Sequence, residues 1–190
     1  MIKFKIFNIY FSVSFLFLCL VSWFLVYDGG KISLIFFGSI VLHELAHILF
    51  LHIFSVRIEK ISFKVFGISI KKNKHLTFFK EIFVLGSGCF VNLILIFLFI
   101  FLKNRTIVLV NLIILIFNLC PISILDGGQI LNIILCKIFG LQNGEKIFKN
   151  ISKIFSILLS IFIFFVILNY RKYSTIFVFL IYFLSFIFEE

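Results

Sequence analysis

From Ile32 to Phe54 the sequence reads ISLIFFGSIVLHELAHILFLHIF. The run is mostly apolar, and His43, Glu44 and His47 fall together near its middle. A helix needs about 20 apolar residues to cross the roughly 30 Å hydrocarbon core of a bilayer. The stretch therefore predicts a membrane-spanning helix that carries ionisable side chains at membrane depth.

The composition of the whole chain also indicates a membrane protein. Of its 190 residues, 63% are hydrophobic and only 14% are charged, and the mean hydropathy is +1.25. Soluble domains have about 45–50% apolar and about 25% charged residues. These values exclude a soluble globular domain, a disordered chain and a fibrous protein, and they favour a bundle of membrane helices joined by short loops.

Apolar runs of this kind recur along the chain, and we predict an all-α polytopic membrane protein with about six transmembrane helices. They form a single intramembrane domain over residues 1–190. Most of the 18 Lys and Arg lie in loops on the side of the N-terminus, so the positive-inside rule places both termini in the cytoplasm. The predicted spans are 6–27, 32–54, 82–102, 106–125, 154–170 and 173–188.

The net charge of +10 invites a nucleic-acid interpretation, but the position of the charges argues against it. The cations lie between apolar runs, where they set membrane orientation, and no basic domain interleaved with aromatic residues is present. We therefore expect the lipid bilayer and membrane-associated proteins as partners, including a regulatory membrane partner, and no nucleic acid.

The fourth run is the least regular. It contains Pro121, the single proline of the chain, and ends at Asp126-Gly127-Gly128. Irregular backbone at membrane depth is tolerated only where protein or water satisfies its hydrogen bonds, so we predict a broken fourth helix. A short apolar helix follows over 129–139, and an amphipathic helix over 141–155.

The polar stretch after the second run alternates apolar and polar residues over 61–65 and again over 68–71. This period of two predicts a short β-hairpin at the membrane surface. Either the hairpin only caps the bundle, or its edge near 61–70 pairs with an extended substrate as an added strand.

His43-Glu44-Leu45-Ala46-His47 is an H-E-x-x-H motif. At about 100° per residue, the two imidazoles lie on one helix face, one turn apart, so both can bind one Zn²⁺. Glu44 lies beside them, where it reaches a water at the metal rather than ligating the metal itself. The alternative is a polar cluster that holds helices together.

Asp126 is the candidate for the third ligand that a zinc enzyme needs. Glu44, within the second predicted span, and Asp126, directly at the end of the fourth, are the only acids that the apolar runs place at membrane depth. Each ionisable group at that depth costs about 2.5–3.5 kcal/mol on insertion scales. A helix break would let the Asp126 carboxylate turn toward the metal. Taken alone, Asp126-Gly127-Gly128 would be an ordinary turn.

These motifs resemble those of the site-2 protease family of intramembrane zinc metalloproteases, peptidase family M50. That family pairs H-E-x-x-H with a later N-x-x-P-x-x-x-L-D-G-G segment, which here runs from Asn118 to Gly128. Residues 88–92 are similar to its G-P-x-x-N element, with Cys89 where Pro is usual. The chain is most similar to the sporulation branch, typified by stage IV sporulation protein FB. That branch often carries a CBS domain, and we expect none here.

The resemblance implies a zinc metalloendopeptidase that hydrolyses a peptide bond within or near a transmembrane segment of a membrane-associated substrate. His43, His47 and Asp126 would hold one Zn²⁺, and Glu44 would be the catalytic base. Asn92 and Asn118 would hold the substrate backbone or donate to the oxyanion, or else form interhelical hydrogen bonds. The sporulation branch implies a sigma-factor precursor or another regulatory protein as the substrate.

Two other functions would use some of the same residues. A metal-binding membrane transporter would want polar residues along several spans or inverted repeats, whereas polarity here is concentrated in the second and fourth spans and at Asn92. A catalytically silent membrane scaffold would bind clients without cutting them. Its simplest origin would be loss of Glu44, which is intact.

Overall fold

The computed structural model describes residues 2–6, 9–27, 29–64, 67–73 and 76–169. The chain divides into two compact units, Met1–Leu119 and Cys120–Glu190. The last predicted span, 173–188, lies outside the described residues. The single domain predicted over 1–190 stays a prediction.

The first unit combines a small sheet with apolar helices. Helix α3 packs against both α2 and α4, so it is the central helix of the unit. In chain order, the described elements are β1 (Ile2–Ile6), β2 (Ile9–Val13), α1 (Phe15–Tyr27), α2 (Lys31–Ile53), β3 (Ile58–Lys64), β4 (Gly67–Lys72), α3 (Phe78–Phe101) and α4 (Arg105–Asn118).

The four strands lie in the order β1-β2-β3-β4. The β1–β2 and β3–β4 pairs are antiparallel, and β2 pairs with β3 in parallel. The predicted hairpin is present as β3 and β4. Apolar side chains fix it to the helices, because Ile58 and Ile70 pack on the cluster formed by Leu51, Val56 and Val84.

The N-terminal strands correct two predictions, the span 6–27 and the all-α class with a single hairpin. Residues 2–6 and 9–13 are strands, and α1 begins only at Phe15 and has 13 residues. Lys3 and Lys5 alternate with apolar residues, which is the period of a half-buried strand. A helix of 13 residues rises about 20 Å, which is less than the roughly 30 Å hydrocarbon core.

Two described helices, α2 and α3, are long and apolar enough to cross a membrane, judged by length and composition alone. Their most apolar windows have mean hydropathies of 2.0 and 2.5. The helices over 15–26 and 105–118 are apolar but shorter. The predicted spans 32–54 and 82–102 therefore correspond to helices, whereas the total of six transmembrane helices stays a prediction.

The fourth helix is broken, as predicted, but it ends earlier than the run 106–125 suggested. Helix α4 ends at Asn118, and the next helix begins at Asp126. Proline disfavours the helical conformation in the residue before it, and it has no backbone N–H to donate to the preceding turn, so Pro121 opposes continuation of α4 through this position.

The second unit contains two described helices, α5 (Asp126–Phe139) and α6 (Leu141–Asn169), which pack against each other. Gly140 joins them with a positive φ of 81°, a conformation that glycine adopts without strain. The short helix predicted over 129–139 is present as part of α5. The amphipathic helix 141–155 and the span 154–170 were predicted separately, but they form one continuous helix up to Asn169.

Candidate active site

His43 and His47 lie on one face of α2, one turn apart, as the motif predicts. Their side chains are 4% and 7% exposed, and their ring centroids are 4.8 Å apart. Glu44 is half-buried and follows His43 in the same helix. The apolar helix α2 thus buries two imidazoles side by side and keeps a carboxylate next to them.

Helix α3 fixes the ring of His47 through a backbone carbonyl. The Nδ1 atom of His47 lies 2.7 Å from the Val84 oxygen, so this nitrogen carries a proton and donates it to the carbonyl. The Ser87 hydroxyl donates to the same oxygen at 2.7 Å and lies 3.3 Å from Nδ1. A neutral imidazole protonated at Nδ1 presents its lone pair at Nε2, the nitrogen that is then available to a metal.

The side chain of Asn92, also on α3, contacts Nδ1 of the other motif histidine, His43. Asn92 is 0% exposed, its Nδ2 lies 3.2 Å from Nδ1 of His43, and its Oδ1 has no hydrogen-bond partner among the described residues. The oxygen and nitrogen of an amide are assigned from the hydrogen-bond network. Turning the amide over brings the orphaned Oδ1 opposite Nδ1–H of His43, where it accepts a hydrogen bond and fixes the tautomer whose lone pair is at Nε2.

Gly88 makes room for the His43 ring. A Cβ atom at position 88 would lie 2.5 Å from both Cε1 and Nε2 of His43. Gly88 precedes Asn92 by one helical turn, so the same face of α3 approaches the imidazole closely and also contacts its Nδ1 atom. Residues four apart on a helix share a face, so the sequence indicated that Gly88 and Asn92 face the same neighbour but did not identify that neighbour as His43.

Asp126 belongs to the second unit, where it is the first residue of α5 and is 8% exposed. A carboxylate is stabilised at a helix N-terminus by the helix dipole. The irregular backbone before it is ordered by its own hydrogen bonds, such as that from Leu125 N–H to the Ile122 oxygen at 2.9 Å. A Cβ atom at Gly128 would overlap that Ile122 oxygen, so glycine is required where this turn folds back on α5.

The donor atoms are those that zinc prefers. His43 and His47 each offer a ring nitrogen and Asp126 a carboxylate oxygen, and zinc binds both kinds of atom. Histidines that ligate metals almost always donate their other ring nitrogen to a carbonyl or carboxylate. Val84 and the turned Asn92 amide supply such acceptors, so the orphaned Oδ1 of Asn92 is explained if both histidines are ligands.

Asn118, the last residue of α4, is half-buried, and its Nδ2 donates to the Ile114 oxygen at 3.1 Å. The substrate-binding roles predicted for Asn92 and Asn118 stay predictions. The contact between Asn92 and His43 was not predicted, because the sequence does not state which residues of two different helices meet.

Comparisons with known proteins give one family match and one similar solved fold. Residues 104–167 match the model of Peptidase family M50. The fold is similar to that of a solved structure, the Site-2 Protease from Methanocaldococcus jannaschii, with a TM-score of 0.68 and 26% sequence identity over 98% of this chain and 92% of that chain. This chain has a site-2 protease-like fold. The search of curated proteins gave no match. The M50 match contains Asp126, whereas His43 and His47 lie outside it.

We expect Gly88→Ala to weaken zinc binding about tenfold or more, because the added methyl would displace the His43 ring. Gly86→Ala is the matched control in the same helix, since a Cβ there meets nothing within 4 Å. The measurement is competition of the purified protein against a chelator of known zinc affinity. Equal affinities in the two variants would contradict the close contact between Gly88 and His43.

We expect Asn92→Leu to lower zinc affinity by about 10–100-fold, because His43 loses the acceptor that orients its ring. Asn92→Asp keeps an acceptor of the same shape and should retain most of the affinity. The control is Asn111→Leu, since Asn111 is also 0% exposed but donates to Ser39 instead of a motif histidine. A similar loss of zinc affinity in Asn92→Leu and Asn111→Leu would mean that removing any buried amide weakens zinc binding. The contact between Asn92 and His43 would then have no special role.

Proposed function

We propose that this protein is an intramembrane zinc metalloprotease that hydrolyses a peptide bond within or near a transmembrane segment of a membrane-associated substrate. The observation that carries the proposal is the buried pair His43 and His47, which lie one turn apart on α2 with Nδ1 of each ring in contact with α3. The match to Peptidase family M50 and the likeness to a site-2 protease support it.

Asp126 is the third protein ligand in this proposal. Its support is the N-x-x-P-x-x-x-L-D-G-G segment, its burial, its place at the start of α5 and its position within the stretch that matches Peptidase family M50. Three protein ligands leave one of the four positions of a tetrahedral zinc site open for chemistry.

Glu44 moves the proton in the proposed reaction. When bound, Zn²⁺ supplies Lewis acidity that polarises the scissile carbonyl and makes water more acidic. The Glu44 carboxylate takes a proton from the attacking water and gives it to the leaving amine nitrogen. Water adds to the carbonyl carbon, the C–N bond breaks, and the products are a carboxyl group and an amine, so no nucleophilic side chain is required.

The two asparagines have different roles in the proposal. Asn92 is a positioning residue that acts through His43, because its amide lies against the Nδ1 atom of that ring. Asn118 is assigned to the substrate, either holding its backbone or donating to the developing oxyanion. Asn118 suits that role because its side chain is only half-buried, at the end of α4 where the helix breaks.

The proposal also covers the membrane location, the orientation and the substrate of the protease. We propose a multi-pass protein of a bacterial cell membrane, with cytoplasmic termini and a sporulation-branch substrate such as a sigma-factor precursor or another regulatory protein. Similarity of the motifs to that branch supports this assignment. Co-expression with a sigma-factor precursor, followed by detection of the shortened product, tests it.

A metal-binding transporter and a catalytically silent scaffold are less well supported. Transport needs metal ligands but does not need a carboxylate placed beside the histidine pair, whereas Glu44 occupies that position. A scaffold needs neither the metal ligands nor the carboxylate. The variants of Glu44 separate these functions from proteolysis.

We expect Glu44→Gln to keep zinc and to lose cleavage by about 10²–10⁴-fold, because the amide cannot accept the proton of the attacking water. The substrate is a single-span peptide with a helix-breaking segment, and the readouts are metal content and product by mass spectrometry. Glu145→Gln, at an exposed position of α6, is the control and should cleave normally. Equal cleavage by both variants would remove Glu44 from the mechanism, and absence of zinc from both would remove the metal assignment.

We also expect a proline in β4 to slow cleavage if the substrate adds a strand to that edge. Asn73 N–H donates to Arg57 across the β3–β4 pair, so the alternation of a strand points the N–H of Lys72 away from β3. Lys72→Pro removes that donor, whereas Lys72→Gln keeps it and equally loses the ion pair with Glu81. Slower cleavage only in Lys72→Pro is expected, and equal rates would eliminate strand addition there.

A further inference from the structure

The sheet of the first unit carries a row of polar side chains that the proposed protease chemistry does not use. Across the strands, Lys5 is paired with Tyr10, Tyr10 with Lys60, and Lys60 with Lys71. Paired residues of neighbouring strands point to the same face of the sheet. These three lysines and one tyrosine therefore form a single row of side chains, which we call the cationic row. Lys3 lies on the same face as Lys5, because alternate residues of a strand share a face.

The cationic row contains a pair that stability alone does not favour. Lys60 lies directly opposite Lys71, and like charges in that arrangement are destabilising. Glu59 contacts Lys71 at 3.6 Å, but the two side chains are 48% and 73% exposed, and an exposed ion pair compensates little. An anion bound between the lysines would remove the repulsion.

The opposite face of the same strands is apolar. Phe4 is paired with Phe11, and Phe11 with Ile61; the two phenylalanine rings stack with centroids 5.4 Å apart. At the outer strand, however, Ile2 and Phe4 are 54% and 43% exposed. Exposed apolar groups on one face and cations on the other are the pattern that lets amphipathic elements lie in a membrane interface.

The place of the sheet in the unit agrees with such an interface. Helix α1 begins just after β2, α2 ends just before β3, and α3 begins just after β4. Three apolar helices therefore have an end at the sheet, and two of them, α2 and α3, are long enough to span a membrane. The ends of spanning helices lie where lipid headgroups are. Tyr10 is 56% exposed in the middle of the row, and tyrosine is enriched at headgroup level.

We propose that the cationic row, together with Lys3, binds the phosphates of anionic phospholipids. Lipid is the occupant, rather than an acidic protein segment, because the exposed Ile2 and Phe4 on the opposite face require an apolar medium, which acyl chains supply. Lipid binding would hold the β1–β2 pair in the interface and keep the β4 edge at headgroup depth. The proposal does not depend on protease activity and is tested without it.

The experiment measures lipid selectivity of the full chain in phosphatidylcholine bilayers. Electron paramagnetic resonance of spin-labelled phosphatidylglycerol and spin-labelled phosphatidylcholine gives the ratio of their association constants with the protein. We expect a ratio above one for the unsubstituted protein. We expect it to fall about threefold or more when Lys3, Lys5, Lys60 and Lys71 are all changed to Gln. Changing the same four residues to Arg should preserve it, since the charge remains.

The matched control changes four exposed lysines elsewhere to Gln, namely Lys103, Lys146, Lys149 and Lys153. It should keep the selectivity, because it removes the same net charge and leaves the row intact. An unchanged ratio in the sheet variant, or an equal fall in the control, would overturn the proposal. So would complete displacement of the labelled lipid by soluble glycerol phosphate, which would identify a site for a free phosphate, or by a polyglutamate peptide, which would identify a protein partner.

The measurement also covers the case in which the fourfold Gln variant does not fold. Lys60→Gln with Lys71→Gln then takes its place, because that change removes a repulsive pair and should not destabilise the sheet. A lower ratio in this double variant supports the proposal, and a ratio equal to that of the unsubstituted protein overturns it.

Discussion

The structure of the first unit depends on how two imidazoles are buried in an apolar helix. A ring nitrogen that carries a proton and has no acceptor would be costly at that depth. The backbone oxygen of Val84 accepts from His47, and Asn92 faces Nδ1 of His43. Because both contacts come from α3, the register between α2 and α3 is set by polar atoms and not by apolar packing alone.

Val84 shows how that register is connected to the sheet. Its carbonyl accepts from His47, while its side chain belongs to the apolar cluster with Leu51 and Val56 on which Ile58 and Ile70 of the strands pack. A shift of α3 along its axis would therefore disturb the His47 ring and the attachment of the sheet together. Gly88 adds a steric limit, since only a residue without Cβ allows the His43 ring to lie so close to α3.

Sequence reasoning succeeded where chemistry fixes a local spacing. The placement of His43 and His47 on one face, the break around Pro121 and the β3–β4 hairpin all follow from neighbours along the chain, and each is present. It failed at the N-terminus, because the strong hydropathy of 6–27 concealed the period-two alternation in residues 2–13. It also could not pair Asn92 with His43, since a contact between residues of different helices depends on packing register, which no local pattern encodes.

The free-energy cost of burying a charge in an apolar medium explains both where the lysines of this chain lie and why its buried histidines are hydrogen-bonded. The described lysines of the first unit lie in loops, at helix ends and on the sheet, where their charges are not enclosed by apolar helices. Within α2 the hydrogen bonds at Nδ1 instead hold each histidine ring in place and fix the tautomer, so that a neutral ring has its lone pair at Nε2. Neutral imidazole is also the form that ligates a metal, so the arrangement that makes these residues tolerable within the bundle is the one that prepares them for zinc.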